Sequence, residues 1–363
     1  MNPDKLKRWI KSSVLETSAY HVQDADRMIK LDAMENPYQW PEDLKQLWLE
    51  VLRNVEINRY PGADAVALKQ KLKQVFSIPE DHQILLGNGS DEIIQTIALS
   101  LTENNPIFLA PEPSFVMYEV IAKMTGVRYA GISLREDFSL DLESMLEAID
   151  ELQPAVIFLA CPNNPTGNLF DDNAVKEILM HAPGLVIIDE AYHAFSEYSY
   201  MASLPNFDNL MIMRTLSKIG LAGLRLGFLA GPAAWIDEIN KVRLPYNINV
   251  LTEKSTEFVL DHIDMINIQA ADIRRDRELL FAEMNRIPGI KIFPSKTNFL
   301  LFRIESGEND RVFRELKNSG ILIKNLGNNH PLVNACLRVT VGTAAENKKF
   351  LHTLGQIMLS NKL

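Results

Sequence analysis

Residues 156–167 read Val156-Ile157-Phe158-Leu159-Ala160-Cys161-Pro162-Asn163-Asn164-Pro165-Thr166-Gly167. Apolar side chains at every position, followed by a loop of Pro, Asn and Gly, mark a strand buried on both faces. The pattern repeats outward from there. Upstream, Ile84-Leu85-Leu86 runs into Gly87-Asn88-Gly89-Ser90-Asp91, and Ile107-Phe108-Leu109-Ala110 runs into a loop with Pro113-Ser114-Phe115. Downstream, Val186-Ile187-Ile188 ends at Asp189. Helical stretches lie between the runs, among them Glu92 to Leu101 and Asn173 to Met180. Apolar runs alternating with helices predict an α/β fold with a mostly parallel sheet between helices. Such sheets bind ligands beyond the carboxyl ends of their strands, where the polar motifs of this chain lie.

A helix precedes this region: Leu44, Leu47, Trp48, Val51 and Leu52 recur at helical spacing after Pro41, Glu42 and Asp43. Beyond about residue 250 the texture changes. A charged helix is expected around Asp272 to Glu283, an extended stretch at Asn298 to Phe302 and a helix at Arg311 to Lys317. Strands are expected at Ile321 to Ile323 and Leu337 to Val341, then a last amphipathic helix through Phe350, Leu354 and Met358. This predicts a smaller α+β domain. With 363 residues, 47% of them apolar, the chain exceeds a single core, so two domains are expected. The division is an N-terminal arm over 1–35 that joins the small domain, a large domain over 36–262 and a small domain over 263–363.

The charge balance is 37 Lys plus Arg against 47 Asp plus Glu, which disfavours a nucleic-acid surface. The two cysteines, Cys161 and Cys336, cannot build a disulfide framework or a thiolate metal site, which fits a reducing, cytoplasmic compartment. The seven histidines lack metal-ligand spacing, and no metal is expected. No apolar run is long enough to span a bilayer. The basic N-terminus (Lys5, Lys7, Arg8, Lys11) lacks the apolar stretch of a signal peptide and reads as an exposed helix or arm.

Three loops and one lysine carry the chemistry. The Gly87 loop follows a strand and opens a helix, where free backbone N–H groups dock a phosphate; the plain alternative is a helix capped by Ser90. The Asn164 loop is either a plain turn or a rigid arm that offers an amide to a ligand. Asp189 at a strand end is costly to bury without a partner, and a protonated ring nitrogen would supply one; the alternative is a capping Asp with a core Tyr192. Arg214-Thr215-Leu216-Ser217-Lys218, followed by Gly220, Gly223 and Arg225, sets a lysine among hydroxyls, an arginine and glycines. That is a setting for a Schiff-base lysine.

Together these segments resemble the fold-type I pyridoxal-phosphate aminotransferases, and most of all the histidinol-phosphate aminotransferase family. The resemblance also covers Leu31 to Tyr38, Arg59-Tyr60-Pro61-Gly62, Asp189-Glu190-Ala191-Tyr192 and Leu337 to Thr343. It implies pyridoxal 5′-phosphate as cofactor, with Lys218 bound to its aldehyde and later moving the substrate proton. It implies Asp189 on the ring nitrogen and Asn164 and Tyr192 on the phenolic oxygen. The backbone amides of Ser90 and Asp91, with Thr215, Ser217 and Arg225, would hold the phosphate, and Phe115 would stack on the ring. Tyr60 would reach the phosphate of a neighbouring subunit, so a homodimer is implied. Arg338, Lys324, Tyr20 and Asn36 would contact substrate.

The chain departs from this pattern twice. Lys324 stands where many relatives have a second arginine, keeping the charge but losing the fork. The Lys218 to Arg225 spacing is one residue short, so the connecting loop must be tight. The implied reaction exchanges an amine between histidinol phosphate and 2-oxoglutarate. An aromatic or broad-range aminotransferase is the alternative, followed by a decarboxylase on the same scaffold. A transcriptional regulator of this fold would carry a basic helix-turn-helix, and none precedes Leu31. A dinucleotide site is disfavoured because Gly87-Asn88-Gly89 lacks the third glycine.

Overall fold

The computed structural model describes residues 3–19, 23–327 and 330–359. Its centre is a seven-stranded sheet. In chain order the strands are β1 (His82–Gly87), β2 (Ile107–Glu112), β3 (Arg128–Ser133), β4 (Val156–Ala160), β5 (Leu185–Asp189), β6 (Leu210–Thr215) and β7 (Gly227–Pro232). Across the sheet the order is β1-β7-β6-β5-β4-β2-β3. All are parallel except β7, which runs antiparallel to both β1 and β6. The four predicted runs are therefore strands of one mostly parallel sheet.

Alternation along each strand sorts its side chains onto two faces, and both are apolar. Leu109, Ile157, Leu159, Val186, Ile188 and Ile212 enter the core on one side. Phe108, Val156, Phe158, Ile187, Met211 and Met213 enter the core on the other. This is why the runs show no polar alternation: no face of the central strands meets water. The edge strand β3 differs. Its residues are exposed or half-buried and none is fully buried, so Arg128-Tyr129-Ala130-Gly131-Ile132-Ser133 carries no continuous apolar signal.

The smaller unit is an antiparallel sheet with its own core. Its strands are β8 (Ile290–Ile292), β9 (Phe299–Ile304), β10 (Lys324–Asn325) and β11 (Cys336–Thr340), in the order β10-β11-β9-β8. Phe299, Phe302, Leu337, Val339, Phe350 and Leu354 fill that core. Leu31 and Met34 pack into it, and Ile29–Lys30 pairs in parallel with Ile321–Leu322, so this N-terminal segment joins the small unit. The expected helices after residue 250 are Ile263–Met284, Asn309–Asn318 and Ala344–Leu359. The helix Val250–Asp261 packs on Glu42–Arg53 and Val66–Phe76, and the chain breaks helical geometry at His262 before Ile263–Met284 begins. Among the described residues no helix is long and apolar enough to cross a membrane.

Candidate active site

The parallel strands end on one edge of the sheet, and the loops that follow them converge there. β1 delivers Ser90 and Asp91, β2 delivers Phe115, β4 Asn164, β5 Asp189 and Tyr192, and β6 Thr215, Ser217 and Lys218. Because β7 is antiparallel, its first residue lies on the same edge, with Gly227 opposite both Gly87 and Thr215. That reversal brings in Arg225. All ten of these predicted residues line one cavity of about 250 Å³.

The short connection from Lys218 to Arg225 is a tight turn. Gly220 has φ +111° and Arg225 itself has φ +52°, both left-handed. At the opposite wall the helix Ser90–Ser100 begins without a side-chain cap, and its N-cap is Gly89 at φ +84°. Ser90 is thus the first helical residue and not a cap. A Cβ at Gly89 would lie 2.8 Å from Arg225 Nη2, and one at Gly227 would lie 2.8 Å from Ser90 N. Glycine at both positions lets the guanidinium and the helix start approach each other. The helix's first N–H groups have no intrahelical acceptor, and with Arg225 beside them they form an anion cradle. Thr215 Oγ1 donates to Ser217 Oγ at 2.9 Å, and Arg225 Nη1 reaches the same oxygen at 3.5 Å. Glu92 turns its carboxylate away, accepting from Asn88 N at 2.7 Å and Asn247 Nδ2 at 2.8 Å. Asp91 stays on the cavity wall, and burial raises its pKa against the opposing pull of Arg225 and Lys218.

Lys218 Nζ donates to the Ala33 carbonyl at 3.1 Å. Burial first, and then repulsion from Arg338, push its pKa from 10.5 down to about 8. A buried ammonium is costly, so the amine is poised near neutrality. Asp189 is 4% exposed. Burial raises its pKa to about 6, while hydrogen bonds from Tyr118 and the Ala191 amide pull it back. The donors are Tyr118 Oη, 2.7 Å from Oδ2, and Ala191 N, 3.1 Å from Oδ1. Asn164 bridges two groups: its Nδ2 donates to Tyr192 Oη at 3.2 Å, and its Oδ1 accepts from Arg338 Nη1. Burial raises the Tyr192 pKa, against the pull of Arg338.

A second cavity of about 770 Å³ adjoins the first and shares Met34, Asp91, Phe115 and Lys218 with it. It adds Arg338 and Lys324, which face each other across β10 and β11. Arg338 Nη2 donates to the Asp32 carbonyl at 3.0 Å, and its guanidinium lies 5.1 Å from the centre of the Phe299 ring. The site rests on a buried ion pair next to Asp189: Arg214 Nη2 lies 2.7 Å from Glu190 Oε2, with both side chains at most 4% exposed.

Three predicted residues stand apart. Tyr60 is 81% exposed and stacks on Tyr246 with ring centres 4.6 Å apart. Asn36 does not line either cavity. Its Nδ2 donates to Gln269 Oε1 at 2.8 Å and to the Ile219 carbonyl at 3.3 Å, so its amide braces the turn after Lys218. Tyr20 lies outside the described residues. Sequence reasoning missed Tyr118 and the Ala33 carbonyl. Tyr118 lies in the helix Met117–Thr125, 71 positions from Asp189, and no local pattern marks that contact.

The residues present fit a phosphorylated pyridine aldehyde. A buried lysine with a lowered pKa would meet the aldehyde, a buried carboxylate would meet a ring N–H, and an uncapped helix start with an arginine would meet the phosphate. Among the described residues no group of His, Cys, Asp or Glu could hold a metal ion.

Residues 26–354 match the family described as aminotransferase class I and II. The chain is 51% identical over 354 residues to a histidinol-phosphate aminotransferase 2 of Nitrosococcus oceani, covering 98% of each. It is similar to the crystal structure of the histidinol-phosphate aminotransferase from Clostridium acetobutylicum, with a TM-score of 0.84 at 27% identity, over 93% of this chain and 100% of that one. The histidinol-phosphate aminotransferase of Sinorhizobium meliloti, solved in complex with pyridoxal 5′-phosphate, shares the fold with a TM-score of 0.87 at 20% identity, over 97% of this chain and 98% of that one.

Proposed function

Because the chain belongs to the aminotransferase class I and II family, we propose that it transfers the amine of glutamate to imidazole-acetol phosphate, giving 2-oxoglutarate and histidinol phosphate, and runs the reverse as well. The cofactor is pyridoxal 5′-phosphate, held by the cavity that Lys218 and Asp189 share. When bound, it supplies an aldehyde that accepts amines and a ring that takes up electrons. The observation that carries the reading is a lysine, Lys218, that shares one cavity with the buried carboxylate of Asp189 and also lines the adjoining cavity of Arg338 and Lys324.

Asp189 would accept the N–H of the ring and favour its charged form. Asn164 and Tyr192 would hold the phenolic oxygen. The backbone N–H groups of Ser90 and Asp91, with Thr215, Ser217 and Arg225, would hold the phosphate, and Phe115 would cover one ring face. Lys218, as the free amine, would take up and return the proton at the substrate Cα. Arg338 and Lys324 orient the substrate's anion, the carboxylate of glutamate or the phosphate of histidinol phosphate. Asn36 would act by bracing the turn after Lys218.

We further assign a homodimer in which Tyr60 reaches the partner's phosphate site. Its support is that Tyr60 is solvent-facing in its own protomer, as are Ile57 and Leu244. The division into an arm (1–35), a large domain (36–262) and a small domain (263–363) is supported by the helix break at His262 and by an apolar core whose buried members come mostly from beyond residue 263, with Leu31 and Met34 of the arm and Tyr192 and Phe195 of the large domain. A cytoplasmic setting is supported by two free cysteines.

The test is to record the cofactor's visible band and add histidinol phosphate, glutamate and phenylalanine separately. The reading expects the first two to bleach it. Bleaching by phenylalanine with no response to histidinol phosphate would replace the assignment with an aromatic aminotransferase.

A further inference from the structure

Asp189 has two donors, and one of them is a tyrosine that the expected machinery does not include. Tyr118 is 0% exposed, and its phenol lies 2.7 Å from Asp189 Oδ2. Its ring is clamped, stacking on Phe158 with centres 4.5 Å apart at 12° and meeting Phe115 edge-on at 5.5 Å. Phe158 is itself fully buried and held edge-on by Phe108 at 4.9 Å. The phenol has no space to swing aside, so its direction is fixed before any ligand enters.

We propose that Tyr118 is a positioning residue that keeps Asp189 charged and aimed at the cofactor's ring nitrogen, so that the proton they share stays on the ring. The proposal rests on the function given above. One proton lies between two bases, the carboxylate and the ring nitrogen. A donor on a carboxylate oxygen lowers the proton affinity of Asp189 and leaves that of the nitrogen untouched. Burial pushes Asp189 the other way, as do Asp91 and Glu190, and the Tyr118 bond is the largest counterweight. Without it the proton moves toward the carboxyl group and the ring loses electron-withdrawing power. Tyr118 touches no substrate atom in this scheme and acts through Asp189.

The test uses holoenzyme loaded with cofactor ¹⁵N-labelled at the ring nitrogen. Tyr118→Phe removes one oxygen and keeps both ring contacts. The expected results are a ¹⁵N resonance shifted from the pyridinium toward the neutral position and a cofactor dissociation constant raised about tenfold, the scale for a hydrogen bond to a charged group. In an Asp189→Asn background the same change should move neither quantity, which separates positioning from packing. If Tyr118→Phe does not fold, 4-aminophenylalanine at position 118, a weaker donor of the same shape, should shift the resonance part of the way toward the neutral position. A wild-type resonance and affinity in Tyr118→Phe, or no response to the aminophenylalanine, overturns the proposal. Wild-type protein that takes up no cofactor would sink the function itself, a distinguishable failure.

Discussion

The depressed pKa of Lys218 makes a quantitative prediction for the cofactor-free protein. Below about pH 8 the amine is protonated and unreactive; above it, the amine is free. At about pH 7.5 a lysine with a pKa near 8 is roughly a quarter neutral, whereas an ordinary one is neutral only about once in a thousand, a gain of roughly 200-fold. The gain comes from burial first and the charge of Arg338 second. Trace acylation of the cofactor-free protein, read peptide by peptide in a mass spectrometer across pH 6 to 11, measures it directly. The Lys218 peptide should inflect near 8 and exposed lysines well above it. Arg338→Met should raise the inflection only partway toward 10.5, because burial remains. The same linkage has a stability consequence. Between pH 8 and 10.5 the unfolded chain holds the proton that the folded one has lost, so cofactor-free stability from this residue rises with pH through that window. An acylation inflection at 10.5, unmoved by Arg338→Met, would refute the reasoning.

Three further outcomes are expected. Asp189→Asn should keep the fold and lower kcat by about two to three orders of magnitude, the scale of losing one preorganised electrostatic contact, as seen in stopped-flow half-reactions. Arg225→Leu should weaken the cofactor by at least about tenfold, measured by fluorescence titration, while the cofactor-free protein melts normally. Arg214→Leu leaves the buried Glu190 carboxylate without its cationic partner and should cost about 3–5 kcal/mol, visible as a lower melting temperature with and without cofactor.

What could be read in the sequence follows from where the information lies. Strands β1, β2, β4 and β5 announce themselves because each carries an unbroken run of at least three apolar residues buried on both faces. Strand β3 is hidden because none of its residues is fully buried and Arg128, Gly131 and Ser133 are exposed, and β7 because its apolar core of Phe228, Leu229 and Ala230 is flanked by glycines that read as loop. Strand β6 is apolar, but its end merges with the lysine motif that drew the functional reading. The cavity residues were legible because each follows a strand of the same sheet, so chain order already places them on one edge. Tyr118 was not, since its role depends on how a helix face meets a strand end. Asn36 shows the converse: its motif suggested substrate, while the fold commits its amide to Gln269 and Ile219. The pairing of Lys324 with Arg338 depends on strand register, which neither motif encodes.

The central claim is that one amine, that of Lys218, holds the cofactor. Holoenzyme reduced with borohydride, digested and mapped by mass spectrometry tests it most directly. The account predicts a single phosphopyridoxyl adduct per chain, on the peptide that contains Lys218. An adduct on another lysine, or none despite bound cofactor, would contradict it.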